Sequence, residues 1–244
     1  MTNHTAAIKI DPHAVRERLR NAYVYLCTDA RVAQGDLVEF VTDAVRGGVD
    51  IVQLRDKKLE AAAERAALDV VREICHAHGA LLSVNDRADL ALLVGADIFH
   101  TGQGDLSVAD SRRLLGPDVI LGRSTNTLER ALVASEDPGV DYFCVGPVWE
   151  TPTKPGRAAV GPGLLSRVAE THPDKPWFAI GNVNLDSVGQ VIDAGATRVV
   201  VVRALTESSH VLNSARELKR IMTEEGAKYP ENGGRVAGEA RDGR

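Results

Sequence analysis

The sequence lacks the marks of several common protein classes. Its three cysteines, Cys27, Cys75 and Cys144, show no Cys-x-x-Cys or Cys/His ligand spacing, and two of them lie inside apolar runs. They read as small core residues in a reducing cytosol, not as a zinc site or disulfide frame. No apolar stretch approaches the roughly 20 residues that cross a bilayer. The opening segment, MTNHTAAIKIDPHAVRERLR, is polar and unlike a secretory signal, so a cytoplasmic location is expected. Positive charge is not in excess: the net charge is -5 and the pI about 5.8. That excludes a global field for nucleic acid or an anionic membrane, and an anionic small molecule would need a local basic site. No Gly-rich dinucleotide fingerprint follows the first apolar run.

What is present is repetition. The 244 residues, 44% hydrophobic and 26% charged, suffice for one sizeable core and allow one large domain or two small ones. Eight short β-rich runs alternate with longer helical stretches, at 23–29 (YVYLCTD), 50–56 (DIVQLRD), 81–86 (LLSVND), 98–102 (IFHTG), 119–125 (VILGRST), 142–148 (YFCVGPV), 177–182 (WFAIGN) and 198–204 (RVVVVRA). This alternation signifies an α/β protein with a parallel sheet. Helix-stop glycines, Gly48, Gly79, Gly95, Gly139 and Gly195, precede five of the runs. Segments such as AAAERAALDVVREICHAH carry apolar residues on one helical face, as helices outside a sheet require. Eight units favour a closed (β/α)8 TIM barrel in a single domain over an open doubly wound sheet, which the sequence alone leaves open. The expected division is 1–22, an N-terminal extension whose helix closes the lower mouth; 23–225, the barrel; and 226–244, a Gly-rich charged tail expected to be disordered.

Chemistry in such barrels gathers where strands end, and here the strand ends are polar. Asp86 and Asp105 end consecutive units, and two carboxylates without His or Cys partners suit a hard cation such as Mg2+. The competing reading makes each the N-cap of the helix that follows. Arg55, Lys57 and Lys154 are cations at strand ends or on the following loop, arranged as a diphosphate leaving group would require, though a lone basic loop residue is ordinarily just solvated. Gln53 and Asn85 add neutral donors and acceptors for a heterocycle edge. The Pro-, Gly- and Thr-rich stretch 149–163 reads as a long surface loop, either an active-site lid or a plain connection, in which Thr151 and Thr153 can bond phosphate oxygens. Gly181-Asn182 and Val202-Arg203 end the last two runs, where barrels commonly bind phosphate at helix starts.

The ordered motifs VQLRDK, VNDRADLAL, HTGQGDL, LGRST, YFCVGPVWETPTKPG, WFAIGN and GATRVVVVRA resemble those of thiamine-phosphate synthases over residues 23–205. The resemblance implies a transferase of thiamine biosynthesis. It would couple 4-amino-5-hydroxymethyl-2-methylpyrimidine diphosphate to 4-methyl-5-(2-phosphoethyl)thiazole, or its carboxylated tautomer, releasing pyrophosphate. By that resemblance Gln53, Leu54, Arg55, Asp56, Lys57, Asn85, Ser124 and Lys154 bind the pyrimidine diphosphate, and Asp86 and Asp105 hold one Mg2+ per subunit. Thr151, Pro152, Thr153, Gly181, Asn182, Val202 and Arg203 bind the thiazole phosphate. The implied reaction is a dissociative, Mg2+-assisted substitution in which Arg55, Lys57 and Lys154 stabilise the departing pyrophosphate and the thiazole nitrogen attacks a pyrimidine methylene cation. No protein nucleophile is required, and no Ser-His-Asp or Cys-His arrangement occurs among the motifs. Two positions depart from the family pattern: Asn126 stands where His is frequent, and Asn182 where a second glycine is frequent.

Two rivals carry different expectations. A thiazole tautomerase shares the barrel and the thiazole-phosphate site but relies on a His near the fifth strand end, where this chain has Asn126. A non-catalytic phosphometabolite-binding barrel would use the same polar ends for recognition alone. Neither nucleic acid nor membrane is an expected partner, and a homodimer is expected only because twofold assemblies are common.

Overall fold

All eight runs form strands: β1 Val24–Thr28, β2 Ile51–Leu54, β3 Leu81–Asn85, β4 Ile98–Thr101, β5 Ile120–Thr125, β6 Tyr142–Val145, β7 Trp177–Ile180 and β8 Val199–Val201. They pair in parallel in chain order, and β8 closes on β1 through Val24 opposite Val199. The sheet is therefore a closed barrel and not an open one. In this computed structural model residues 11–151, 156 and 158–226 are described. The expected site residues Pro152, Thr153 and Lys154, and the tail from 227 onward, lie outside the described residues.

Ten helices accompany the strands among the described residues: α1 Pro12–Arg20, α2 Leu37–Arg46, α3 Ala61–Ala77, α4 Ala88–Val94, α5 Val108–Leu115, α6 Leu128–Glu136, α7 Pro162–Ala169, α8 Val188–Asp193, α9 Arg203–Thr206 and α10 Val211–Gly226. None is long and apolar enough to cross a membrane. Successive strand residues point alternately into the barrel and out to the helices, so the apolar residues fall into two compartments. Val24, Leu26, Val52, Leu54, Leu82, Val84, Phe99 and Phe143 pack outward in the larger compartment shared with the helices. Tyr25, Ile51, Leu81, Ile98, Ile120, Tyr142, Phe178 and Val200 fill the barrel. Both faces of every strand are buried, which is why the runs read as continuous apolar stretches.

Helix α1 closes the lower mouth, as the sequence predicts. Asp11 caps it by accepting from the His13 N–H, Pro12 opens it, and its Val15 and Leu19 join the interior compartment with Ile51, Leu81, Ile98 and Ile120. The aspartates that precede alternate strands fix register. Asp50 accepts from the Tyr23 and Val24 N–H groups, Asp97 from Leu82 and Asp141 from Leu121, so each ties the start of its own strand to the strand before it. One boundary is corrected. The loop predicted to run to 163 ends earlier, because Pro162 takes the first helical position of α7 and Gly163 follows inside it.

Candidate active site

On the β2–β4 side of the upper mouth the sequence-predicted residues divide by the direction they face. Asn85 ends β3 buried and pointing inward, and its amide makes no hydrogen bond among the described residues. Gln53 also points inward but lies deeper: its Nε2 donates to Tyr25 Oη at 2.7 Å, and its Oε1 accepts from Cys27 Sγ at 3.4 Å. The Leu54 side chain is fully buried in the outer compartment, so a contact with a ligand there would be made by its main chain. Arg55 continues the ladder through its N–H to Thr28 O at 2.8 Å. The Asp56 carboxylate is engaged in the turn, accepting from the Ala30 and Lys58 N–H groups. Lys57 reaches Asp86, Nζ to Oδ2, at 2.9 Å.

Neither Asp86 nor Asp105 caps a helix. Helix α4 has Arg87 at its cap without a side-chain bond, and α5 is capped by Ser107. Asp86 instead sits at φ +47°, a left-handed conformation that few non-glycine residues adopt, with its N–H donating to His100 O at 3.0 Å. Strained residues of this kind collect at functional sites. Asp105 follows β4, where its Oδ2 accepts from the Gly102 N–H at 2.6 Å. Arg123, facing outward from β5, holds the same loop by donating to Gly102 O at 2.8 Å. Among the described residues no three His, Cys, Asp or Glu side chains cluster as a metal-binding group, so a cation here would rest on two carboxylates and on ligand oxygens.

The β5–β8 side holds a pocket lined by Ser124, Thr125, Gly146, Pro147, Thr151, Ile180, Gly181, Asn182, Val183, Val200, Val202 and Arg203. Six expected site residues, Ser124, Thr151, Gly181, Asn182, Val202 and Arg203, thus meet around one cavity. Gly181 has φ +118°, and a Cβ there would lie 2.5 Å from Pro147 Cα and Val148 N, so only glycine permits β7 to approach the loop after β6. Asn182 follows at φ +56°, and its Oδ1 accepts from Arg203 Nη2 at 2.5 Å. Asparagine is among the few side chains that tolerate this left-handed backbone. It keeps the turn a second glycine would make and adds a fixed partner for Arg203. Asn126 accepts from Arg130 Nη1 at 2.6 Å, within the first turn of α6.

Beneath both halves lies a group of polar side chains that motif reading missed: Tyr25, Ser83, His100 and Tyr142, all buried inside the barrel. His100 bonds Ser124 Oγ at 2.9 Å and Tyr142 Oη at 2.9 Å. Burial pushes the phenols of Tyr25 and Tyr142 far above their ordinary pKa, with neighbouring Cys144 contributing, so both remain protonated. The available signal was the alternation itself, since polar residues at inward positions of otherwise apolar strands must pair with one another.

A family model described as thiamine monophosphate synthase matches residues 24–205. The chain belongs to that family. Among curated relatives, the thiamine-phosphate synthase of Thermobifida fusca is 58% identical over 206 residues, 84% of this chain and 94% of that protein. The thiamine-phosphate synthase of Streptomyces avermitilis is 54% identical over 209 residues, covering 86% and 97%. Among solved structures, the thiamine phosphate pyrophosphorylase of Pyrococcus furiosus superposes with a TM-score of 0.76 at 29% identity, covering 86% of this chain and 98% of that one. The matched span begins with β1 and ends within α9, so the whole barrel and both halves of its mouth carry the family relationship.

Proposed function

We propose that this chain is a thiamine-phosphate synthase, joining 4-amino-5-hydroxymethyl-2-methylpyrimidine diphosphate to 4-methyl-5-(2-phosphoethyl)thiazole, or its carboxylated tautomer, with release of pyrophosphate. The observation that carries this reading is that one barrel mouth has two adjoining halves of different character. The half at β2–β4 offers Lys57, Arg55, Asn85 and two carboxylates, which suits a heterocycle bearing a diphosphate. The half at β5–β8 is a walled pocket with Arg203 held by Asn182 and a backbone turn at Gly181, which suits a single phosphate. The two halves share Ser124 at their boundary, so two bound rings would meet there, and most of the catalytic gain would come from that orientation.

The residues fit a magnesium ion. Asp86 and Asp105 are hard oxygen donors on neighbouring loops, neither occupied as a helix cap. Bound there, Mg2+ supplies positive charge against the diphosphate. Lys57, 2.9 Å from Asp86, stands ready to turn toward a diphosphate oxygen, and Arg55 adds a second cation on the same loop. Lys154, which follows β6 in the sequence, belongs to the same reading as a third. These groups stabilise charge that grows on the leaving pyrophosphate, and electrostatic preorganisation of this sort accelerates the step without a covalent intermediate. A cytoplasmic location and a homodimer accompany the reading, the latter checked by light scattering.

The deciding experiment mixes purified protein with both substrates, with and without Mg2+, and follows thiamine phosphate and pyrophosphate. Both products should appear in equal amounts, and only with the metal. Interconversion of thiazole tautomers without pyrophosphate release would replace this reading with the tautomerase one, although no His follows Ser124-Thr125 in this chain.

A further inference from the structure

The interior polar chain has a direction, and it ends on a residue of the mouth. Tyr25 Oη donates to Ser83 Oγ at 2.7 Å and accepts from Gln53 Nε2 at 2.7 Å. A phenol has one proton. With the Tyr25 proton directed at Ser83, the 3.2 Å contact between the phenols is Tyr142 donating to Tyr25. Tyr142 Oη then has only lone pairs for His100 Nδ1 at 2.9 Å, so Nδ1 carries the ring proton. In a neutral imidazole the other nitrogen is an acceptor. The 2.9 Å contact between His100 Nε2 and Ser124 is therefore the Ser124 hydroxyl donating inward. Toward the mouth Ser124 presents lone pairs alone.

The packing makes this arrangement specific. Gly122 is the inward residue of β5 opposite the Tyr142 ring, and a Cβ there would lie 2.2 Å from Tyr142 Cζ. The ring occupies the space that a side chain at 122 would fill. Phe178 packs edge-on against both phenol rings, at 5.6 Å from each centroid, and so fixes where the two hydroxyls meet.

We propose that His100 is a positioning residue for substrate recognition: Tyr142 holds it as the Nδ1–H tautomer, which fixes Ser124 as a hydrogen-bond acceptor for the amino group of the pyrimidine, not as a donor to a phosphate oxygen. This rests on the synthase reading for the identity of the substrate, whereas the tautomer follows from the hydrogen-bond geometry around a neutral imidazole. An amino N–H directed at Ser124 completes the chain, while an oxo-pyrimidine or a phosphate oxygen at the same place would set acceptor against acceptor.

Two measurements on the full chain test it. Two-bond nitrogen–proton NMR correlation of 15N-histidine-labelled protein should show His100 protonated at Nδ1 and bare at Nε2, and the isosteric Tyr142→Phe should move the proton to Nε2. In steady-state assays Tyr142→Phe should raise KM for the pyrimidine diphosphate on the order of tenfold, the consequence of one reversed hydrogen bond, with inhibition by inorganic pyrophosphate unchanged. A wild-type His100 protonated at Nε2, or at both nitrogens, overturns the proposal, as does a Tyr142→Phe that weakens pyrophosphate as much as the pyrimidine substrate. If the wild type makes no thiamine phosphate, the synthase reading and the pyrimidine assignment fall together; if it does while the tautomer is wrong, only the present proposal falls.

Discussion

The two ends of the barrel use the same residue types for opposite purposes. At the lower end each of the three aspartates that opens a strand is engaged twice, by a backbone N–H of the preceding strand and by a basic side chain. Asp50 faces Lys219 at 2.5 and 2.7 Å, Asp97 faces His76 at 2.9 Å, and Asp141 faces Arg112 at 2.5 Å. Helix α1 then covers the opening with Val15 and Leu19. At the upper end Asp86 adopts a left-handed backbone, Asn85 leaves its amide without a hydrogen bond among the described residues, and Lys57 bridges to Asp86 from a largely exposed position. A carboxylate tied to backbone amides and to a fixed basic side chain holds the fold. One held at the mouth beside an exposed lysine is available to a ligand, which is the division of labour expected between the two faces of this fold.

The sharpest way to break the comparison is to neutralise one carboxylate at each end. Asp105→Asn keeps an oxygen for the Gly102 N–H but removes the charge, so turnover should fall at least on the order of 10²-fold while the thermal midpoint stays put. Wild-type turnover would place Asp105 with the structural aspartates. Asp97→Ala should do the reverse. It strands the buried Leu82 N–H and deprives His76 of its partner, a loss of about 2–3 kcal/mol that urea unfolding will show, with kcat/KM of the folded fraction unaltered. An activity loss without a stability loss would mean that the lower end is not purely structural.

A smaller effect sharpens the boundary at the upper end. Arg31 pairs through two nitrogens with Asp36 in the β1–α2 connection and lies 4.0 Å over the Phe40 ring. The guanidinium holds the Asp36 carboxyl below its ordinary value. Because the folded pKa is the lower one, the pair stabilises fully above the usual carboxylate pKa of about 4 and loses that contribution as the pH falls through the folded value. Asp36 is 36% exposed, so solvent screening limits the effect to under about 1 kcal/mol. Asp36→Asn should therefore lower the urea midpoint slightly at pH 7, and the gap to wild type should close on acidification. A gap that persists at low pH would assign the effect to packing over Phe40 instead of charge.

Much of this architecture was legible in the chain. Each of the eight apolar runs contains its strand, and Gly95 sits in the left-handed conformation that ends α4. Gly139 differs: it lies before β6 without a positive φ, and a Cβ there would meet Val108 Cγ1 at 2.5 Å, so it is kept for space. The motifs at the strand ends were also legible as polar clusters at defined places in the repeat. What they could not disclose was direction. Leu54 and Gln53 are neighbours in one motif, yet one faces the helices and the other the barrel.

The sequence by itself determined the number and order of units, the family, and which strand ends are polar, because these follow from local periodicity, turn residues and ordered motifs. Only the tertiary structure decided that Asp86 and Asp105 are not helix caps, that Asn182 holds Arg203, and that Tyr25, Ser83, His100, Ser124 and Tyr142 form one chain beneath the mouth. Strands buried on both faces show only isolated polar residues at inward positions, which do not name their partners. The partners of an inward side chain come from neighbouring strands tens of residues away, and closing the barrel is what brings them together.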